Sequence, residues 1–314
     1  MLVKMAKPKI IVICGPTASG KTALSIKLAK KINGEIISAD SMQIYESMDI
    51  GTAKPTAEEM DGIQHYLVGC ISPTVRYSVA NFKKDALKAI EEILSKGKTP
   101  IIVGGTGLYV DSLVQGIDYN EVETDLNYRN ELEKIVEERG LEDLYKKALE
   151  IDPLAMEKIS PNDKKRILRV LEIYHSTGKT KTQQEVESKA KENQYDYVVF
   201  AINMEREKLY ERINKRVDIM LENGLVGEVK ELISKYNTMP TAIQGLGYKE
   251  VVQYLNNEIS YDEMVEKIKQ ETRRYAKRQL TWFRRNKQIT WINGLDDIQN
   301  NINIILKGVQ CEGE

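Results

Sequence analysis

One stretch near the start narrows the choice of fold more than any other. Lys9-Ile-Ile-Val-Ile-Cys14 is a continuous, mostly β-branched run, the pattern of a strand buried on both faces of a parallel sheet. It leads directly into Gly15-Pro16-Thr17-Ala18-Ser19-Gly20-Lys21-Thr22, which fits G-x-x-x-x-G-K-[ST]. A helical pattern comes next, with Leu24, Leu28 and Ile32 on one face and Asn33-Gly34 as its stop. Strand, glycine loop and helix together are the context a P-loop requires. The glycines let successive backbone N–H groups and a helix N-terminus converge on one anion. Lys21 is expected against the outer phosphate. The Thr22 hydroxyl is expected to complete the shell of a Mg2+ ion whose other ligands are phosphate oxygens and water. The motif, shared with many nucleotide- and ATP-binding proteins, specifies a di- or polyphosphate and does not by itself specify ATP.

Three further apolar runs read as strands of the same sheet: Glu35–Ala39, Thr99–Val103 and Tyr197–Ile202. The first ends at Asp40, and strand ends beside a P-loop face the ligand crevice of an open α/β sheet. Asp40 there is a Mg2+ ligand, a general base, or a helix cap for the segment after it. The second ends in Gly104-Gly105 and then Thr106, where many ATP-hydrolysing relatives of the motif carry an acidic residue for Mg2+. The glycines permit close backbone approach, and the missing acid argues against an ATPase motor. Phe82, Ala86, Ile90, Ile93 and Leu94 make one apolar helix face with Gly97 behind it, which is scaffold.

At 314 residues the chain allows one large domain or two modest ones. From Gly116 to about Gln194 the pattern changes to charged helices, Leu126–Arg139, Leu141–Ile151 and one opened by Ser160-Pro161-Asn-Asp163, with Pro161 in its first turn. In that last helix Ile167, Leu171 and Tyr174 share an apolar face, and Lys165, Arg166 and Arg169 make a basic ridge. The reading is an α/β fold: a P-loop NTPase-like parallel sheet flanked by helices over residues 1–116 and 195–314, interrupted by an all-helical insertion over 117–194.

Beyond the strand at Tyr197–Ile202, Arg206–Asn223 is a helix with Leu209, Ile213, Val217 and Met220 inward and Arg212 and Arg216 on another face. Gly224 and Gly227 punctuate it. Gln244–Lys249 is a short glycine loop, and Ser260-x-x-Glu263 is a capping box for a long helix. That helix is the charge anomaly of the chain. From Glu266 to Lys287 there are nine basic residues (Lys267, Lys269, Arg273, Arg274, Lys277, Arg278, Arg284, Arg285 and Lys287) against Glu266 and Glu271, with Trp282 and Phe283 interleaved. The whole chain carries 46 Lys and Arg against 47 Asp and Glu, net −1, but a local patch is what meets backbone phosphates, so a polyanion is expected here.

No apolar run approaches the ~20 residues of a spanning helix, so a membrane protein is excluded. Met1–Lys9 lacks the pattern of a signal peptide. Cys14, Cys70 and Cys311 are odd in number and far apart, forming neither a disulfide framework nor a zinc spacing. A reduced, cytoplasmic, soluble protein is expected, and nothing demands more than a monomer. His65 and His175 have no ligating or catalytic partners in the sequence and read as structural.

Gly15–Thr22, Asp40-Ser-Met-Gln43, Met48-Asp-Ile-Gly-Thr-Ala-Lys-Pro55, Gly104–Tyr109 and Lys277-Arg-Gln-Leu-Thr-Trp-Phe283 occur in this order. Together they resemble the tRNA dimethylallyltransferase (tRNA isopentenyltransferase) family over nearly the whole chain. The resemblance implies transfer of a dimethylallyl group from its diphosphate, with Mg2+, to N6 of the adenosine 3′-adjacent to the anticodon. It implies that Gly15, Pro16, Thr17, Ala18, Ser19, Gly20, Lys21 and Thr22 hold the diphosphate, that Thr22 meets the metal, and that Arg212 and Arg216 take the departing diphosphate. Asp40 would be the general base, Ser41, Met42 and Gln43 would line the base pocket, and Thr106 would hydrogen-bond the adenosine. Arg129, the segment Lys165, Arg166, Ile167, Leu168 and Arg169, and the segment Gln244, Gly245, Leu246, Gly247, Tyr248 and Lys249 match positions that contact the tRNA anticodon stem-loop. Lys277 and Arg278 of the basic helix join them. Gln64 stands where many relatives have His, Asn81 where many have Asp, and Lys165 where many have Gln; only the last touches a proposed contact. The rival readings are an adenylate isopentenyltransferase acting on free AMP or ATP, a P-loop small-molecule kinase, and a non-catalytic RNA-binding protein.

Overall fold

Runs of Ile and Val with no polar interruption can satisfy both faces only inside a three-layer α/β arrangement. In the computed structural model, which describes residues 7–118 and 125–311, they do so. Residues 1–6, most of the stretch tested for a signal peptide, lie outside the described residues. The chain divides into two compact units, Met1–Val114 with Gln194–Glu314, and Gln115–Asn193.

The first unit begins β1 (Lys9–Cys14), α1 (Lys21–Ile32), β2 (Gly34–Ser38), α2 (Ala57–Met60), β3 (His65–Tyr66), α3 (Val79–Ser95), β4 (Thr99–Gly104) and α4 (Gly107–Val114). The helical unit supplies α5 (Leu126–Arg139), α6 (Glu142–Ile151), α7 (Pro153–Met156), α8 (Lys164–Thr177) and α9 (Lys181–Lys189). The first unit then resumes with β5 (Asp196–Asn203), α10 (Arg206–Glu222), α11 (Leu225–Lys235), a 3-10 turn, α12 (Tyr248–Leu255), α13 (Tyr261–Phe283), β6 (Thr290–Asn293) and α14 (Ile298–Cys311).

The six strands form one sheet in the order β3-β2-β4-β1-β5-β6, and every pairing is parallel. Alternate residues of β1 serve opposite layers. Ile10, Val12 and Cys14 pack with Phe82, Ala86 and Ile90 of α3 and with Tyr109, Val110 and Leu113 of α4. Ile11 and Ile13 pack with Leu24, Leu28 and Ala29 of α1 and with Ile302 and Ile305 of α14. A third core, around Tyr45, Met48, Val229, Tyr248, Val251 and Met264, joins α10 to α13 to the loop after β2. The helical unit has a core of its own, with Leu132, Leu144, Ala148, Ile167, Leu168 and Leu171.

Several local expectations change. Asp163, not Ser160, caps α8, accepting from Arg166 N at 3.1 Å, which leaves Pro161 outside the helix. Tyr174 is exposed while Ile167 and Leu171 are buried. Gly224, at φ 96°, does interrupt the chain, but Gly227 lies within α11. Strands β3 and β6 are too short and too polar to announce themselves, and α9 emerges from a polar stretch through a Thr180–Gln183 capping box. His65 Nδ1 meets Ile63 O at 2.8 Å, and His175 stacks on Tyr128 with ring centroids 3.8 Å apart. Cys14 is buried and Cys70 exposed, both as free thiols. Among the described residues no helix is long and apolar enough to cross a membrane.

Candidate active site

The carboxyl ends of β1, β2 and β4 converge because these strands are neighbours in the sheet and all run the same way. After β1 the chain turns through the glycine loop, with Ala18 at φ 60° and Gly20 at φ 94°. These left-handed turns aim successive amides outward. Among the described residues the N–H groups of Ala18 to Thr22 donate to no carbonyl, while the first helical bond is Leu24 N to Gly20 O at 3.2 Å. They form an open cradle at a helix N-terminus, where an anion gains from the unpaired donors and the dipole. Ser19 Oγ is buried here with no partner.

Lys21 folds back over the loop, donating to Gly15 O at 3.0 Å and Pro16 O at 2.7 Å. Burial pushes its ammonium down to about 8, against the opposing pull of Asp40, and Arg216 adds to the fall. Burial likewise lowers the Arg216 guanidinium below its ordinary value, partly offset by Asp40 and Glu59, with Arg212 lowering it further. A side-chain nitrogen of Arg212 would sit 3.6 Å from a Cβ at Gly20. Thus α10 carries both arginines to the loop, and three cations share the crevice with a carboxylate.

That carboxylate is Asp40. Its Oδ1 accepts from Met42 N at 2.9 Å and Gln43 N at 3.2 Å, but residues 41–44 form a turn and not a helix, so Asp40 braces that turn and the helix-cap reading does not hold. The same two bonds fix the side chain and leave Oδ2 without a hydrogen bond among the described residues. Gly104 allows this closeness of β4 to β2: a Cβ there would collide with Ala39 O. Thr106 closes the far wall, its N–H donating to Ala39 O at 3.2 Å and its Oγ1 accepting from Ser41 N at 3.0 Å. Gln43 Nε2 reaches Thr52 O at 3.2 Å and Ala53 O at 3.1 Å, and Arg216 reaches the same Ala53 O at 3.4 Å. The Met48–Pro55 segment is held in turn by Glu228, whose carboxylate accepts from the N–H groups of Asp49 (2.8 Å), Ile50 (2.7 Å) and Gly51 (3.0 Å) and from the Tyr248 hydroxyl (2.6 Å).

Sequence reasoning missed two residues on the inner face of α13. Gln279, 5% exposed, donates to Gly105 O at 2.9 Å and accepts from Thr17 N at 2.9 Å. Tyr275 lies one turn earlier beside Thr106 and Gln279, its phenol pushed up to about 12 by burial and by the Asp40 charge. Gln279 stood within the matched segment Lys277–Phe283 but was given no role there, and Tyr275 left no trace beyond its spacing of four from it.

The residues matched to RNA contacts divide by exposure. Lys165, Arg166, Gln244, Lys249, Lys277 and Arg278 are exposed, and Arg169 and Leu246 are half-buried. Ile167, Leu168 and Tyr248 are core residues, and Gly245 and Gly247 are buried, so these five offer a ligand no side-chain surface. Arg129 is tied to Glu133 and to the buried Glu172, each at 2.7 Å. The charge of α13 also divides. Lys269 pairs with Asp218 at 2.7 Å, and Arg273 donates to Asn214 at 2.6 Å. Lys267 donates to Gln253 at 2.8 Å, and the exposed Arg274 pairs with Glu271, so the exposed basic surface runs from Arg274 onward.

The family model for IPP transferase matches residues 43–286, more than half of the chain. The tRNA dimethylallyltransferase of Acetivibrio thermocellus is 53% identical over 285 residues, covering 90% of this chain and 91% of that one. A tRNA isopentenylpyrophosphate transferase of known structure from Staphylococcus epidermidis is 43% identical, with a TM-score of 0.70 over 97% of this chain and 99% of that one. A eukaryotic dimethylallyltransferase described as acting on tRNA aligns at a TM-score of 0.76 and 33% identity, over 92% of this chain and 74% of that one. With the phosphate loop, the carboxylate and the converging arginines in one crevice, and relatives matched along nearly its full length, the chain belongs to the IPP transferase family, the family of the tRNA dimethylallyltransferases.

Proposed function

We propose that the chain transfers the dimethylallyl group of dimethylallyl diphosphate to N6 of the adenosine 3′-adjacent to the anticodon of tRNA, giving N6-isopentenyladenosine and diphosphate. The observation that carries this reading is the pairing of an anion cradle with an anchored carboxylate, Asp40, whose second oxygen has no hydrogen bond among the described residues. The adenine amino group is a poor nucleophile because its lone pair is delocalised into the ring. Asp40 Oδ2 accepts its proton as the new C–N bond forms, a contribution of roughly 10²–10⁴ in rate. The amides of Ala18 to Thr22, with Lys21, Arg212 and Arg216, take up the charge that grows on the departing diphosphate. Ser41, Met42, Gln43 and Thr106 shape the adenine pocket.

The donor set suits Mg2+. Thr22 is exposed at the mouth of the loop, and no cluster of three His, Cys, Asp or Glu able to hold a metal occurs among the described residues. One hydroxyl fits an ion that takes most of its ligands from substrate phosphates and water. When bound, Mg2+ would further neutralise the leaving diphosphate. The target base must leave its stack, at about a few kcal/mol, and a positive surface offsets this by gripping the stem. Lys165, Arg166, Arg169, Gln244, Lys249, Lys277 and Arg278 are the exposed or half-exposed groups suited to that grip, and the helical unit contributes the first three.

The test supplies labelled dimethylallyl diphosphate and Mg2+ with unmodified tRNA in one reaction and AMP or ATP in another. Label at the adenosine beside the anticodon, and none in free nucleotide, is the expected result. Label in AMP or ATP alone would overturn it.

A further inference from the structure

We propose that Gln279 is the positioning residue that holds the phosphate-binding loop in its anion-accepting shape, acting through Thr17 and Gly105. The inference deepens the function proposed above and rests on that reading for its substrate. The key geometry is a single peptide plane. The carbonyl of Pro16 accepts from Lys21 Nζ at 2.7 Å, and the N–H of the same peptide, on Thr17, donates to Gln279 Oε1 at 2.9 Å. Lys21 and Gln279 therefore pin opposite ends of the peptide plane that leads into the cradle amides of Ala18 to Thr22. An ammonium that turns to a diphosphate releases the Pro16 carbonyl, and Gln279 is then the side chain that still fixes the plane.

The amide of Gln279 is itself fixed. Its Nε2 donates to Gly105 O at 2.9 Å, so a flipped amide would set oxygen against oxygen and nitrogen against an N–H. Gly105 has no room for a side chain, since a Cβ there would collide with Gln279 Nε2. One residue of α13 thus ties the loop after β1 to the loop after β4. The same helix face is secured on either side. Trp282 Nε1 donates to Asp111 Oδ2 at 2.8 Å, and Tyr275 lies beside Thr106. Lys277 and Arg278 point outward between these contacts and are exposed.

The test is Gln279→Met in the full chain, which keeps length and apolar bulk while removing both hydrogen bonds. With two buried bonds to the loop gone, the KM for dimethylallyl diphosphate is expected to rise about tenfold or more, while the KM for an anticodon stem-loop stays within about twofold. Inorganic pyrophosphate should raise the thermal midpoint of the wild type clearly more than that of the variant. A diphosphate KM within about twofold of wild type, or a parallel loss in both substrates that tracks a fall in thermal midpoint, would overturn the inference. Where Gln279→Met does not fold, Gln279→Glu, which keeps an acceptor for Thr17 but has no proton for Gly105, is read by the same split between substrates. The pyrophosphate shift needs no turnover. Absence of wild-type transfer to tRNA would count against the proposed function alone, and equal pyrophosphate shifts in wild type and variant against Gln279 alone.

Discussion

Asp40 and Lys21 face each other across the crevice with opposite problems. Asp40 is anchored through one oxygen by the amides of Met42 and Gln43, so removing its charge should not collapse the loop that carries it. Asp40→Asn retains an acceptor at Oδ1, and its turnover should fall by roughly 10²–10⁴ while stem-loop affinity holds. Single-turnover prenyl transfer beside a binding titration checks this, and near-normal turnover would remove Asp40 from the base role. Lys21 is enclosed at the expense of its charge, with an ammonium pushed down to about 8 from an ordinary 10.5. Below about pH 8 it is charged in both folded and unfolded chains. Between there and 10.5 only the unfolded chain holds the extra proton, so this group's penalty on stability is relieved as pH rises. On the proposed function affinity runs the other way, because a diphosphate held by Lys21 would need its charged form. The apparent Kd for pyrophosphate should therefore climb above about pH 8, by up to about tenfold per pH unit, and Lys21→Met should flatten that limb. Calorimetric titration from pH 7 to 9.5 measures both.

At the scale of elements, α13 shows how a charge run acquires two functions. Its first half uses Lys267, Lys269 and Arg273 to bind the helix to Gln253, Asp218 and Asn214. Its second half turns Tyr275, Gln279 and Trp282 toward the strand-end loops and leaves Lys277 and Arg278 to solvent. If those two meet backbone phosphates, replacing both with Ala should weaken stem-loop binding and lower the slope of log K against log salt by about 0.7–0.9 for each phosphate no longer neutralised. An unchanged slope would place the RNA elsewhere. Helix α8 makes the complementary point. Its basic ridge, with Lys165 and Arg166 exposed and Arg169 half-buried, runs beside a row of core residues, and the two are interleaved only because a helix brings residues three and four apart onto one face.

At the scale of the molecule, the helical unit has its own buried core and interrupts the sheet between α4 and β5. Its ends come together, since a Cβ at Gly116 would lie 3.0 Å from the side chain of Asn193. Replacing residues 117–192 with a short Gly/Ser linker should therefore leave pyrophosphate binding within about threefold and weaken stem-loop binding by roughly tenfold or more, because the basic ridge of α8 goes with the insertion. Equilibrium binding of each ligand to the shortened chain is the check, and undiminished stem-loop affinity would detach the insertion from RNA. Much of this architecture was legible in the sequence. The β-branched run Lys9–Cys14, the loop after it, the helix ending at Asn33 and the capping box at Ser260 are local patterns, set by steric and hydrogen-bonding preferences within a few residues, and each lies where its pattern placed it. Asp40 and Thr106 could be singled out because both come after apolar runs whose ends must share one edge of a parallel sheet. Other features depend on partners distant in sequence. Strand β6 exists through pairing with β5, and Tyr248 matches a contact motif but is claimed by the core and by Glu228. Gln279 is an ordinary polar residue in a charged helix until folding brings Thr17, 262 positions away, within hydrogen-bond reach. Sequence by itself determined which segments become strands, cradle and helices, because those preferences are local. Which side chains enter the crevice, and which are taken into the core, was decided only when packing fixed the neighbours of each.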